Sequence, residues 1–256
     1  MRFLRYKEVN EAWSGSNERR MQIYKRVWER KPVLRRIYAL WYERIFAHLK
    51  QGLTLEVGGG TGNFKGVCPN CISLDIVPNE WLDAVGDGTR LPFRDNSLDN
   101  VVCIDLIPHF EDPLRFLQEA QRVLKPEGRL IAVEGFVSPA SYPILKYLFH
   151  VDVDSSYCFG DQVAKESGRP LEGNMAVATV IFFRQLDDLE RELPQMRCIY
   201  RQAHDFFSYP LSGGFNYRSL IPNWCHQPLL AIEKKLRFLG SLLGFKMTAV
   251  MEKYSE

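Results

Sequence analysis

The stretch "LTLEVGGGTGNF", residues 53–64, sets an apolar run against four glycines packed into five positions. Such a run is costly inside a strand or a helix, because glycine loses the most backbone freedom on ordering and has no side chain to pack. It is kept where the chain must turn sharply or where something must approach the main chain. An apolar strand running into a bare turn is how an open α/β sheet begins, with its ligand at the strand's carboxyl end.

Spacing separates the ligands such a turn can hold. A dinucleotide loop needs G-x-G-x-x-G, whose third glycine lets the following helix pack closely. Counted from Gly58, the third position is Asn63; counted from Gly59, the second is Thr61, so neither register fits. The stretch supplies instead Glu56, Gly58, Gly60 and Gly62, an E-x-G-x-G-x-G spacing with an acid at the end of the strand. A carboxylate is a poor neighbour for a pyrophosphate and a good one for a cation. Two further acids follow. Asp75 ends "SLDI", where a carboxylate can accept both hydroxyls of a ribose. Asp87, in "VGDGTRLPFRDNSLD", can accept from an adenine amino group or close an Asx turn on its own backbone. A ligand with adenine, ribose and positive charge but no phosphate is S-adenosylmethionine.

The surrounding pattern is that of a doubly wound, mainly parallel sheet. "LTLEVG", "CISLDI", "LDNVVCID" and "GRLIAVEG" read as strands, and "DPLRFLQEAQRVL" between the last two is an amphipathic helix stopped by "KPEG". Residues 17–50 carry helical periodicity in two pieces split by Pro32. These define an N-terminal helical cap over residues 1–50, ahead of one large domain over 51–256. Regularity fails after residue 137, and residues 138–180 read as a substrate-side insertion after the fourth strand motif, too long for a simple connector. The alternation then resumes with the apolar run "MAVATVIFF", a short helix "LDDLERELP", strands "MRCIYRQA" and "FKMTAVMEK", and between them the helix "QPLLAIEKKLRFLGSLLG".

On "LEVGGGTGNF", "GDGTRLPFRDNSLDNVVCIDLIPHFEDP" and "EAQRVLKPEGRLIAVEG", in continuous order over about residues 50–136, the chain resembles the class I S-adenosylmethionine-dependent methyltransferases of the type 11 branch. The family's D-x-x-x-LPF, acidic residue and S-x-D are met by Asp87, Leu91-Pro92-Phe93, Asp95, Ser97 and Asp99. Its "RVLKPGG" turn is met by "RVLKPEG", where Glu127 replaces a glycine at little expected cost. The resemblance implies a Rossmann-like seven-stranded fold and S-adenosyl-L-methionine as methyl donor, with S-adenosyl-L-homocysteine as product. It also implies cofactor contacts from Glu56, Gly58, Gly60, Gly62 and Asp75, Ile76 beside the adenine, an adenine contact from Asp87 with backbone at Gly88, and a methyl-transfer face at "IDLIPHF". Only twelve residues separate Gly62 from Asp75, so the first helix must be short.

Methyl transfer is an in-line displacement that alignment and desolvation accelerate, and a base is needed when the acceptor is a hydroxyl. His109 is the candidate base, and Asp105 at the strand tip would orient it or face the cofactor's charged end. Aromatic residues of the insertion and of "FFSYPLSGGFNYRSLIPNW", among them Tyr142, Tyr147, Tyr157, Phe159, Phe206, Phe207, Tyr209 and Tyr217, wall an acceptor pocket or form a satellite core.

Composition bounds the partners. A net charge of +2 over 256 residues does not mark a nucleic-acid binder, although the N-terminal helices are locally basic. The expected acceptor is a small molecule, a glycan or a lipid-linked molecule, methylated on oxygen; an RNA or protein methyltransferase, or a cofactor-binding relative without turnover, is the alternative. The six cysteines show no disulfide framework, and "CPNC" lacks the second pair that a zinc site needs, so no metal is expected. No apolar run reaches membrane-spanning length, and the expectation is a cytoplasmic protein. "QPLLAIEKKLRFLGSLLGF" has the pattern of an interfacial helix with peripheral membrane contact, or of a helix covering the sheet; the second is expected.

Overall fold

The computed structural model describes residues 5–12, 15–163 and 173–254. Its helices are α1 (Lys7–Ala12), α2 (Asn17–Arg30), α3 (Pro32–Phe46), α4 (Pro113–Val123), α5 (Ser141–Pro143), α6 (Val177–Thr179), α7 (Leu186–Glu192), α8 (Ser208–Ser212), α9 (His226–Lys235) and α10 (Gly240–Leu243). Its strands are β1 (Thr54–Val57), β2 (Cys71–Asp75), β3 (Ala84–Val85), β4 (Leu98–Ile104), β5 (Leu124–Gly135), β6 (Met196–His204) and β7 (Lys246–Lys253). They form one seven-stranded sheet in the order β3-β2-β1-β4-β5-β7-β6. The first five are parallel, and β7 runs antiparallel to both β5 and β6. This is the doubly wound, mainly parallel seven-stranded sheet expected from the sequence.

Both faces are covered, which is why the central strands read as unbroken apolar runs. Val102, Ile131, Val133 and Val250 share one core with Val33, Leu34, Ile37, Trp41 and Ile45 of α3. The alternate positions Val101, Leu130, Ala132 and Ala249 share the other with Phe116, Leu117 and Ala120 of α4. Residues two apart along a strand face the same way, so the partition follows from the pleat. The helices start where the sequence marks them. Asp112 caps α4 by accepting from the Arg115 N–H at 3.2 Å, and Pro113 and Pro32 occupy first turns, where no hydrogen bond is lost.

Several expectations change. Residues 60–67, between β1 and β2, form successive turns where a short helix was expected. β3 is only two residues long and carried no readable pattern. "MAVATVIFF" is helical, comprising α6 and a π-helical turn (Val180–Arg184), because its side chains are buried all round and leave no periodicity. Glu127 has φ 64°, so it stands in the left-handed region that a glycine adopts freely; the replacement costs about 1 kcal/mol and is not neutral. The C-terminal amphipathic segment is broken into α9, a 3-10 turn (Arg237–Leu239) and α10.

Candidate active site

The carboxyl ends of β1, β2 and β4 open into one cleft of about 1400 Å³. Glu56, Gly58, Gly60, Asp75, Ile76, Asp87, Gly88, Asp105 and His109 all line it. Residues spread over 54 positions of sequence meet there because three adjacent parallel strands end on the same edge.

Glu56 is 4% exposed, and its Oε2 is buried without a hydrogen-bond partner. Burial, reinforced by the neighbouring Asp75 charge, pushes its carboxyl up to about 8. An unpaired buried carboxyl is costly unless something neutralises it, so this atom has the chemistry of a cation acceptor awaiting its ligand. Asp75 is also buried. Its Oδ2 accepts from the Gly60 N–H and its Oδ1 from the Val77 N–H, both at 2.8 Å. A carboxylate has about four acceptor positions, so two remain for hydroxyls. Burial raises the Asp75 carboxyl, and its own backbone hydrogen bonds and the nearby His109 work against the rise.

The glycines divide by task. Gly60, at φ 47°, would set a Cβ at ordinary contact distance from Gly58 O (3.7 Å) and Met21 Sδ (4.0 Å), so packing does not demand its bareness, but its φ does. Gly58, at φ 76°, would set a Cβ 2.7 Å from Leu106 Cδ1, and Gly88 would set one 2.8 Å from Phe110, so both are bare for packing as well as for access. Gly62 is absent from the cleft lining. A Cβ there would stand 2.6 Å from Trp81 Cδ1, and the Trp81 indole N–H donates to Gly60 O at 2.8 Å. Gly62 therefore makes room for the indole that clamps the loop. The turns after the loop offer no helix N-terminus, the feature a phosphate ligand would use.

Asp87 closes an Asx turn, accepting from the Thr89 N–H at 2.8 Å and the Thr89 hydroxyl at 2.9 Å, while still lining the cleft. Ile76 is 56% exposed on the cleft wall. Asp105, at φ 53°, forms an ion pair with Lys246, whose ammonium lies 4.7 Å from the Trp41 ring and 4.8 Å from that of Tyr209. Burial alone would lower this lysine, but Asp105, with Tyr209 and Glu134, more than offsets it and the net shift is upward. Behind the strand tip Glu134 accepts from the Leu106 and Ile107 N–H groups at 3.0 and 3.1 Å, fixing the turn that carries His109.

The "LPFRD" motif serves the scaffold. Arg122 donates to Leu91 O and Phe93 O and pairs with Asp95 and Glu119. Asp99 pairs with Lys125 at 2.8 Å. Among the expected aromatics, Tyr209 and Tyr217 line the cleft, Tyr157 and Phe159 join the main core, Tyr142 packs in a satellite cluster, Tyr147 is exposed, and Phe206 and Phe207 line a separate apolar pocket. The sequence reading missed Tyr38, Tyr42, Phe149 and Phe215, which also line the cleft, and missed Lys246 and Trp81 entirely. Cys68 and Cys71 are buried thiols whose burial raises both.

The N-terminal helices roof the site. Met21 Sδ is 4.0 Å from the Cβ position of Gly60, and the Lys25 ammonium donates to Thr61 O at 2.7 Å. Lys31, between α2 and α3, donates to Gly214 O and Tyr217 O at 2.5 and 2.7 Å and so ties that roof to the second aromatic loop. The orphaned Glu56 oxygen, the bare main chain at Gly60 and the spare acceptor capacity of Asp75 fit a cationic nucleoside.

Residues 55–132 match the family described as a methyltransferase domain. The chain is 28% identical over 138 residues to a demethylmenaquinone methyltransferase of Thermotoga maritima, covering 44% of this chain and 60% of that one. It is 35% identical over 92 residues to a probable tRNA methyltransferase 9B of Mus musculus, covering 31% of this chain and 21% of that one. The chain spans about half the length, or less, of the first curated relatives it matches. Among solved structures, an S-adenosylmethionine-dependent methyltransferase of Thermotoga maritima, a possible histamine N-methyltransferase, aligns with a TM-score of 0.53 at 19% identity, covering 91% of this chain and 99% of that one. That likeness is one of fold.

Proposed function

We propose that this chain, whose residues 55–132 form a type 11 methyltransferase domain on the class I S-adenosylmethionine-dependent fold, transfers a methyl group to a hydroxyl of a small-molecule, glycan or lipid-linked acceptor. The observation that carries the reading is the partnerless Glu56 oxygen in a cleft of about 1400 Å³, larger than the roughly 300–1,000 Å³ that one ligand needs. Such a cleft has room for a cofactor and an acceptor together.

S-adenosylmethionine supplies an electrophilic methyl group on a sulfonium. Glu56 takes the ammonium of the methionine portion, and in doing so gives up the proton that burial keeps on it. Asp75 accepts the ribose hydroxyls, Ile76 packs beside the adenine, and Asp87 with the Gly88 backbone borders its amino edge. Gly58 and Gly60 let the main chain pass close to the ligand. Asp105, fixed by Lys246, holds a negative charge at the strand tip and stiffens the turn before His109. His109 takes the proton from the acceptor hydroxyl as the oxygen attacks. Tyr209, Tyr217 and Phe215 wall the acceptor side and exclude water, which strengthens each polar contact in the cleft.

The test is S-adenosylhomocysteine formation across a panel of hydroxylated acceptors, with His109→Gln beside the parent protein. The expected result is a kcat lowered about 10²-fold in the variant, loss of the acidic limb of the pH profile, and cofactor affinity unchanged within a few fold. A variant that keeps kcat and loses cofactor affinity would assign His109 to the ribose side, next to Asp75. Folded protein that fails to bind S-adenosylhomocysteine would sink the whole reading.

A further inference from the structure

α9 turns polar groups inward beside the half-buried Leu229 and Leu230. Its two fully buried side chains are polar: His226, within 3.3 Å of the Ser219 hydroxyl, and Glu233. The Glu233 carboxylate accepts the Phe207 and Ser208 N–H groups at 2.5 and 2.6 Å and the Ser208 hydroxyl at 2.7 Å. Outward, α9 and the turns flanking it present Trp224 and Phe238, each 76% exposed, with Ile232 and Leu242 at 49%. A segment that leaves four large apolar side chains this far in water has a use for its outer surface.

The charge of that face is one-sided. Between residues 221 and 245 the cations are Lys234, Lys235 and Arg237, and the sole acid is Glu233, which is buried and taken. An apolar set flanked by unopposed cations complements an anionic lipid surface. The same charge disfavours a second copy seated symmetrically on this face, since like charges would meet across it.

An apolar pocket of about 160 Å³ opens alongside. Its lining includes Leu148, Phe207, Leu220 and Leu243, the first three still partly open to solvent. Leu242, beside Leu243, accepts through its carbonyl from the Ala140 N–H at 3.2 Å, which joins this pocket to the α10 face. Phe149, Pro210 and Phe245 line both this pocket and the large cleft, so the two cavities lie back to back with these three side chains as the wall between them.

We propose that this face docks on an anionic bilayer. Trp224, Ile232, Phe238 and Leu242 enter the interface, Lys234, Lys235 and Arg237 lie among the headgroups, and the apolar pocket takes the hydrocarbon chain of an acceptor drawn from that membrane. Delivery of the acceptor rests on the methyl-transfer reading; docking needs no turnover, so the two fail separately.

The test is sedimentation of the whole protein with vesicles of equimolar phosphatidylglycerol and phosphatidylcholine, and with phosphatidylcholine alone. The protein is expected to pellet with the anionic vesicles, less so as salt rises, and to stay in solution with the neutral ones. Lys234→Gln with Lys235→Gln should weaken binding by about fivefold per lysine. Trp224→Ser with Phe238→Ser should abolish it while circular dichroism and S-adenosylhomocysteine affinity stay unchanged. Folded protein that ignores anionic vesicles would overturn the proposal. So would undiminished binding by the Trp224→Ser, Phe238→Ser variant, or a dimer in solution that this variant dissociates, which would give the face to a second copy.

Discussion

Glu56 and Asp105 are acids at the carboxyl ends of neighbouring parallel strands, lining one cleft, yet their electrostatic circumstances are opposite. Asp105 holds a buried lysine of this same chain. Glu56 has an oxygen with no partner and a carboxyl that burial keeps protonated up to about pH 8. An acid in a cleft marks a ligand's charge only where an oxygen is left without a partner; Lys65, the cation that acts on Glu56, is itself paired with Asp83. The carboxyl at the β1 end therefore has an acceptor to spare, and the one at the β4 end is already paired.

The sharpest way to break this contrast is Glu56→Gln. Losing a charge-assisted hydrogen bond of about 1.5–3 kcal/mol should weaken S-adenosylhomocysteine binding by roughly 10- to 100-fold in a titration, while leaving the unliganded protein no less stable to heat. Lys246→Met should do the reverse. Breaking a buried ion pair costs about 3–5 kcal/mol, and the partial exposure of Asp105 reduces the expected loss to about 2 kcal/mol in a denaturant melt, with cofactor affinity changed only a few fold. If Lys246→Met cost as much affinity as Glu56→Gln, the two acids would not differ as described.

The glycines sharpen the contrast at smaller scale. Gly62→Ala drives a methyl into Trp81 at a left-handed φ, and should cost roughly 2 kcal/mol of stability by thermal melt. Gly60→Ala makes only ordinary contacts, with Gly58 O and Met21 Sδ, and should cost only about 1 kcal/mol, for its φ, but should weaken cofactor binding about tenfold because this residue lines the cleft. Equal effects of the two on affinity would contradict the division of labour between them.

What the sequence made legible was the part of the site written in short spacings. Glu56, Gly58 and Gly60 sit where β1 runs into one turn, Asp75 ends the apolar strand β2, and Asp87 stands in the short motif around it rather than at a strand that patterning marks. What it hid depends on distant packing. Lys246 lies 141 positions from Asp105, and only the antiparallel pairing of β7 with β5 brings it to the tip of β4. Trp81 stands in a turn without periodicity, so nothing flagged it as the reason for Gly62. The pattern of "QPLLAIEKKLRFLGSLLGF" predicts a helix covering the sheet, where the structure has α9, a 3-10 turn and α10, and amphipathicity does not say which face turns inward. Glu233 and His226 settle that through contacts with Ser208 and Ser219, which no local spacing encodes.

Because the folded carboxyl of Glu56 is raised above its unfolded value, it binds more protons folded than unfolded, and its contribution to unliganded stability declines as pH rises from the ordinary carboxylate range through about 8. A cation bound beside it reverses that preference and expels the proton. Calorimetric titration with S-adenosylhomocysteine at pH 7, in two buffers of different ionisation enthalpy, reads the exchange directly. Binding in the micromolar range or tighter, with up to one proton released per ligand and none in Glu56→Gln, is the expected result. Folded protein that gives no heat, or a Glu56→Gln variant that binds and releases protons as the parent does, would contradict the assignment of this cleft to a cationic nucleoside held by Glu56.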